Sequence, residues 1–201
     1  MEFKDRFRGF YPVVLDLETG GFDANQNPIL EIGCQFLVWR GNQLQIDHGE
    51  LWSVEPFPNS VIEPASTKVT GIDVNDPARE ALDEKTALVE CFKQVRKGMK
   101  EAGCHRAILV AHNAAFDMGF IQAGCLRTAI KRNPFHPFSS IDTASLAAVA
   151  YGHTVLAEVC RRAGLEFDNG RAHGALYDSE RTAALFCQMV NQWPAQSIAL
   201  D

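Results

Sequence analysis

The stretch VVLDLETGG at residues 13–21 constrains the fold of this chain more than any other. Its apolar residues predict a buried strand, and side chains alternate between the two faces of a strand, so Asp16 and Glu18 share one face. Two carboxylates about 4 Å apart repel each other by roughly 4 kcal/mol at an effective dielectric constant near 20. We therefore expect a positive charge between Asp16 and Glu18.

The remaining pattern predicts an α/β fold. Residues 12–18, 29–39 and 45–54 are rich in β-formers, are separated by the turn segments DANQNP and RGNQ, and predict three successive antiparallel strands. Strands at RAILVAHN and SSID then alternate with helices at about 84–102 and 115–129, around TVLAEVCRRAG, and at about 175–191, while KRNPFHPF is expected to be a loop. This order favours a mixed sheet, antiparallel strands first and parallel strands later, flanked by helices. At 201 residues without a visible linker, we expect one domain over residues 1–201.

Composition excludes several classes of protein. The six cysteines form no C-x-x-C pair and several have apolar neighbours, which predicts reduced core thiols and no zinc site. No apolar stretch approaches the roughly 18 residues of a membrane span, and the first residues lack the apolar core of a signal peptide. We expect a cytoplasmic protein with no membrane partner.

Basic residues are clustered although the formal net charge is −6. They lie near the N-terminus, along one side of the helix predicted at 84–102, and just after the next predicted helix. Such local patches can bind phosphates. Taken singly, each cluster is better explained as a solvated face.

Two later motifs place acids near the starts of predicted helices. In HNAAFD, residues 112–117, a strand turns into a helix that carries Asp117 in its first turn; in HGALYD, residues 173–178, His173 precedes a helix that carries Asp178. Alone, such acids could simply favour the helix dipole, the D-x-E pair could lie at an exposed edge, and the histidine could be structural.

Together, the four acids predict a metal centre. Mg²⁺ and Mn²⁺ prefer carboxylate oxygens, and two such ions about 3.5 to 4 Å apart can clamp a phosphodiester during in-line hydrolysis. Histidine has an unperturbed pKa of about 6.5, so His173 could take the proton from the attacking water. The predicted metal ligands are Asp16, Glu18, Asp117 and Asp178.

The three motifs, D-x-E, N-x-x-F-D and H-x-A-x-x-D in this order, resemble those of the DEDDh exonuclease superfamily. Longer stretches, including RKGMKEAGCHRAILVAHNAAFD and KRNPFHPF, are similar to a branch of that superfamily that matures stable RNAs. The resemblance implies a ribonuclease H-like fold, two Mg²⁺ ions, and stepwise release of nucleoside 5′-monophosphates from the 3′ ends of tRNA, other stable RNAs and single-stranded DNA. It also implies the same four ligands, with His173 as general base.

The resemblance further implies that phenylalanines sandwich the terminal bases. Phe22, Phe116 and Phe138 match these positions, and stacking contributes roughly 1 to 3 kcal/mol per base. Core packing is the alternative for each ring. Where this branch has a glutamate and another phenylalanine, the chain has Ala65 and Val69, so either the alignment slips and Glu63 acts instead, or terminal-base discrimination differs.

The branch forms homodimers in which basic residues of one subunit hold RNA that enters the other subunit's site. The matching residues here are Arg6, Arg8, Lys100, Arg106 and Lys131.

Two other functions are compatible with this scaffold. A catalytically silent RNA-binding module is disfavoured because all five residues expected to carry the chemistry are present. A DNA-proofreading exonuclease is disfavoured because no polymerase-tethering tail is visible.

Overall fold

A five-stranded mixed sheet forms the centre of the computed structural model, which describes residues 2–193 except for the side chain of Lys4. The sheet order is β3-β2-β1-β4-β5. Strand β2 runs antiparallel to β1 and β3, whereas β4 runs parallel to β1 and β5. The predicted antiparallel and then parallel order is confirmed. The strands are β1 (Phe10–Thr19), β2 (Ile29–Arg40), β3 (Gln43–Ser53), β4 (Arg106–Ala111) and β5 (Phe135–Asp142).

Helices cover both faces of this sheet. The α-helices are α1 (Pro64–Thr70), α2 (Glu84–Glu101), α3 (Ala114–Arg127), α4 (Thr143–Tyr151), α5 (Leu156–Arg162) and α6 (Ala175–Gln192). Short 3-10 turns lie at Phe3–Asp5, Phe7–Gly9 and Pro77–Arg79. None of the helices in the described part of the chain is both long and apolar enough to cross a lipid bilayer.

The two longest helices pack on opposite faces of the sheet. Helix α2 buries Leu88, Cys91 and Val95 and lies on the face that carries Tyr11, because a Cβ on Gly98 would lie 2.5 Å from the Tyr11 ring. Its basic stripe is exposed, as predicted. Helix α6 packs on the other face, where Asp16 and Glu18 point. The acids of β1 therefore face α6.

Three segments differ from the predictions, and one of them is α4, which the sequence analysis did not predict. KRNPFHPF was predicted to be a loop, but its last four residues, 135–138, form the first half of β5, and Phe135 is buried. The prolines are tolerated because β5 is an edge strand, where a missing N–H need not break the ladder. Helix α1 was not predicted, because it buries none of its residues and so shows no apolar stripe.

A buried ion pair holds the loops beside the sheet. Arg127 donates from Nε and Nη2 to the Glu84 carboxylate at 2.9 and 2.5 Å, donates from Nη1 to the Ala24 carbonyl at 3.0 Å, and lies 3.9 Å from the Phe57 ring centroid. Two loops and two helices thus meet at one guanidinium. All six cysteines are free, as expected.

Candidate active site

The β1–β2 register places the acids of β1 beneath the start of α6. Asp16 pairs with Gly33 and Glu18 with Glu31. A Cβ on Gly33 would lie only 2.1 Å from the Ala175 carbonyl oxygen, so glycine lets the first turn of α6 touch the strand. This close approach brings Asp178, in that first turn, to the acids of β1.

Three carboxylates converge at this point. Oxygens of Asp16, Glu18 and Asp178 all lie within 4.8 Å of one another. Asp178 Oδ1 is buried and accepts no hydrogen bond from any group that the structure describes. A buried carboxylate oxygen normally has a partner. Converging carboxylates with one unpaired buried oxygen fit a divalent cation, which prefers such ligands.

Asp117 lies beside this cluster but is not part of it. It is buried in the first turn of α3, and its Oδ1 accepts a hydrogen bond from the Leu17 backbone N–H at 3.1 Å. Its charge nevertheless acts on Asp16. The structure thus brings three of the four predicted ligands together and places the fourth next to them.

Burial raises the pKa of all four acids, and repulsion from neighbouring carboxylates adds to the shift for Asp16, Glu18 and Asp117. Burial raises the pKa of Asp16 well above its ordinary value, and the charges of Asp117 and Glu18 add to the shift. Burial, with the charges of Asp178 and Glu31, raises the pKa of Glu18 to about 8. Burial also raises the pKa of Asp117 and the pKa of Asp178. The cluster is therefore short of positive charge, which a bound cation would supply.

His173 is exposed at the edge of the cluster. Its backbone adopts a left-handed conformation, with φ of 64°, and its N–H donates to Asp178 Oδ2 at 3.0 Å. The preceding loop is held on the Tyr177 ring: Arg171 lies 4.5 Å from the ring centroid, and the Asp168 N–H donates to the Tyr177 hydroxyl at 2.5 Å. The predicted base thus stands next to one of the acids.

Sequence reasoning missed two residues near these acids. Glu31 Oε2 accepts from the Ala175 N–H at 3.3 Å, so it caps the start of α6. His112 bonds through its ring nitrogens to Thr143 Oγ1 at 3.0 Å and the Thr154 carbonyl at 2.6 Å. Burial lowers the pKa of His112. The position of Glu31 opposite Glu18 follows from the register, which the sequence alone did not provide.

Two of the three predicted phenylalanines meet beside Glu18. The Phe22 and Phe116 ring centroids lie 6.1 Å apart, and both line a pocket of about 250 Å³. Phe22 is 84% exposed, so core packing does not explain it. Phe138, on β5, is equally exposed, but its ring meets His136 at 4.5 Å and does not line this pocket.

The predicted basic residues lie at the other end of the sheet. Arg8 lies 5.1 Å from the ring centroid of Phe10, the first residue of β1, and Arg106 begins β4. Phe10 and Asp16 are six positions apart in β1, which is about 20 Å at roughly 3.3 Å per residue. Arg6 donates to the Trp193 carbonyl at 2.8 Å, and Lys100 and Lys131 are exposed.

The RNase_T family model, described as Exonuclease, matches residues 13–186, and together with the acidic centre on a ribonuclease H-like mixed sheet it identifies a hydrolytic exonuclease. The chain is 52% identical to Ribonuclease T of Shewanella frigidimarina over 195 residues, 96% of this chain and 88% of that protein. It is 53% identical to Ribonuclease T of Escherichia coli K12 over 190 residues, 94% and 88%. The chain belongs to the ribonuclease T family.

Solved structures show the same fold at much lower sequence identity. The chain is similar to the nuclease domain of 3′hExo, a DEDDh family member bound to rAMP, with a TM-score of 0.66 and 21% identity over 90% of this chain and 92% of that one. It is also similar to E. coli Exonuclease I in complex with a dT13 oligonucleotide, with a TM-score of 0.70 and 16% identity over 90% of this chain and 41% of that one.

Proposed function

We propose that this chain is a divalent-cation-dependent 3′–5′ exoribonuclease that releases nucleoside 5′-monophosphates from the 3′ ends of tRNA and other stable RNAs, and that it also degrades single-stranded DNA. The observation that carries the proposal is the cluster of Asp16, Glu18 and Asp178 oxygens within 4.8 Å. The relatives named Ribonuclease T support RNA as substrate, and Exonuclease I bound to an oligonucleotide supports the DNA activity.

The four acids are proposed to hold two Mg²⁺ ions, or Mn²⁺ in their place. Such ions, when bound, stabilise the charge of the scissile phosphate and acidify the attacking water. Asp16, Glu18 and Asp178 offer converging oxygens, one of them buried without a partner among the described residues. Asp117 offers its second oxygen, because Oδ1 accepts from Leu17.

His173 is proposed to accept the proton of the attacking water on an imidazole nitrogen. Its backbone bond to Asp178 Oδ2 holds it next to the acids, while its exposed side chain can turn toward the substrate. Phe22 and Phe116 would stack on the terminal base. Phe138, which stands apart from that pair, would contact the strand farther from the cut.

The test is hydrolysis of an end-labelled RNA stem with a 3′ overhang. With Mg²⁺ we expect monophosphates and a ladder that stops near the stem, and with EDTA no product. Asp178→Asn should lose at least 10²-fold in rate, whereas Asp168→Asn, a matched change on an exposed loop, should retain it. Binding without any monophosphate release would instead favour the silent RNA-binding module.

We also propose that the protein is a homodimer in which the basic residues of one subunit hold the RNA that enters the other subunit's site. The separation of about 20 Å between the start of β1 and Asp16 supports this arrangement, because a short 3′ end held at the acids of one subunit need not reach the basic residues of that same subunit. Phosphate contacts make binding depend steeply on salt. Arg6→Ala with Arg8→Ala should weaken RNA binding and flatten the salt slope without changing Mn²⁺ affinity.

Mixing two proteins with complementary defects tests the shared site directly. One carries Asp16→Asn, and the other carries the Arg6→Ala and Arg8→Ala pair. Mixed dimers should regain activity, because an intact acidic site then faces an intact basic surface. No recovery, with mixed dimers confirmed by mass, would place both surfaces in one subunit.

The chain is further proposed to act as one exonuclease domain in the cytoplasm. Free thiols at all six cysteine positions are expected in that reducing compartment. Fractionation of cells that express a tagged protein tests this location.

A further inference from the structure

The pocket beside Glu18 has the position and size for one nucleobase. Its volume is about 250 Å³, roughly that of eight water molecules. Phe22, 84% exposed, and Val69, 55% exposed, stand at its rim, so large apolar groups are open to solvent here. A base inserted between them would cover this surface. We call this the terminal pocket; it is lined by Leu17, Glu18, Thr19, Gly21, Phe22, Ala65, Ser66, Val69, Thr70 and Phe116.

Each hydroxyl group of the terminal pocket makes one hydrogen bond with the main chain. Thr19 donates to the Gly21 carbonyl at 2.7 Å, and Ser66 donates to the Thr19 carbonyl. Thr70 Oγ1 accepts from the Ile72 N–H at 3.2 Å, and its hydroxyl can still donate or accept, so it does not select one edge of a base. The one carboxylate in the lining, Glu18, belongs to the acidic cluster. Every other side chain of the lining is apolar or absent.

Glu63 is the nearest other residue that could recognise a base through a hydrogen bond. It precedes α1, and a Cβ on Gly21 would lie 2.6 Å from its Oε1 and 2.5 Å from Asn27 Oδ1. Its carboxylate therefore lies against Gly21, and it is not part of the pocket lining. Helix α1 contributes Ala65, Ser66, Val69 and Thr70 to the lining, and the side chains of Ala65 and Val69 cannot form a hydrogen bond.

We propose that the terminal pocket holds the 3′-terminal base mainly by stacking and apolar contact, so that the enzyme distinguishes ring size but not the hydrogen-bonding edge. The proposal rests on the exonuclease function proposed above. A site built on hydrogen bonds rejects a substrate that lacks them by about 10⁴-fold, whereas an apolar pocket separates ligands mainly by size. Stacking tolerates every base. Cytosine and uracil, or adenine and guanine, should therefore be removed alike.

The experiment uses four single-stranded RNAs that differ only in the 3′-terminal nucleotide. Single-turnover rates with Mg²⁺ should agree within about three-fold for C against U and for A against G. A ratio of ten or more in either pair overturns the proposal. Purines and pyrimidines are compared only within their own class, because stacking area differs between the classes.

Ala65 gives the matched variants. Ala65→Glu places a carboxylate at the base, which can accept a hydrogen bond from the exocyclic amino group of cytosine, whereas uracil has a carbonyl oxygen at that position. The C-to-U ratio should then rise at least ten-fold, whereas Ala65→Leu should keep it near one. An unchanged ratio in Ala65→Glu would show that the base is not bound there. Glu63→Gln should keep the C-to-U ratio near one, and a change in this ratio would show that Glu63 recognises the terminal base.

Binding separates failure of this inference from failure of the function. Filter binding in EDTA compares RNAs that end in C or U by competition. If no RNA is hydrolysed with Mg²⁺, the proposed exonuclease function fails. In that case, equal competition by RNAs that end in C and in U still supports a pocket that does not distinguish the hydrogen-bonding edges of the bases. A difference of ten-fold or more overturns this inference.

Discussion

Replacing Gly33 by alanine tests whether the contact between β2 and α6 sets the catalytic geometry. The new Cβ would lie 2.1 Å from the Ala175 carbonyl oxygen and 2.3 Å from its carbon, whereas real Cβ contacts stay beyond 3.0 Å. The obstacle is backbone, so the start of α6 must retreat by about 1 Å. Overpacking of this kind costs about 1 to 3 kcal/mol, and a 1 Å misplacement of catalytic groups costs about 10²-fold in rate.

The assay pairs activity with stability. Single-turnover hydrolysis of labelled RNA, Mn²⁺ binding by calorimetry and urea unfolding are measured on Gly33→Ala and on Gly98→Ala. Gly98→Ala is the matched control, because its Cβ would lie 2.5 Å from Tyr11 on the opposite face of the sheet. Both variants should lose stability, but only Gly33→Ala should lose about 10²-fold in rate and weaken Mn²⁺ binding.

A specific result refutes this reasoning. If Gly33→Ala folds with reduced stability yet keeps the wild-type rate and Mn²⁺ affinity, the start of α6 does not fix Asp178 against the acids of β1. Equal losses of rate in both variants would show that general destabilisation, and not the position of α6, lowers the activity.

Three further outcomes are expected. Asp16→Asn should abolish turnover. In EDTA at pH 8 it should raise the free energy of unfolding by about 1 kcal/mol, because it removes repulsion within the acidic cluster. Urea unfolding measures this change, and a loss of stability would contradict the reasoning. Protons compete with metal at Glu18, because the pKa of this carboxyl group is raised to about 8. The metal-free fold should therefore lose stability as pH rises from about 4.3 to 8, whereas Mn²⁺ affinity, measured by calorimetry, should rise over the same interval. An Mn²⁺ affinity that is independent of pH would contradict the raised pKa. Arg127→Ala should cost about 3 to 5 kcal/mol in urea unfolding, because it leaves Glu84 charged and 6% exposed, whereas the double change Glu84→Leu with Arg127→Met should cost much less.

Much of the sheet could be predicted because each strand carries its own signal. The run VVLDLETGG combines an apolar core with turn residues at its end, and the antiparallel partners are separated by short turns. The first half of β5 could not be read in the same way. Pro134 and Pro137 indicate a loop, and only the edge position of the strand, a property of the whole sheet, makes a strand possible there.

The site was predictable to the extent that chemistry is visible in residue type. Asp16, Glu18 and Asp178 converge as the spacing suggested. The roles of Glu31 and Gly33 depend on which residue of β2 lies opposite which residue of β1, and register is a tertiary property. A residue such as Glu31 in ILEIG looks like any partly exposed strand glutamate until α6 is placed over it.

The left-handed backbone at His173 affects how its imidazole should be deleted in an experiment. For most side chains that conformation costs about 1 to 2 kcal/mol, while glycine and asparagine adopt it readily. An alanine variant would thus lose the proposed proton acceptor and also destabilise the backbone turn whose N–H donates to Asp178, so one measured rate would combine two defects. His173→Asn keeps the left-handed conformation, and His173→Gly leaves room for added imidazole. This pair of variants therefore separates the loss of the imidazole from the change in backbone conformation.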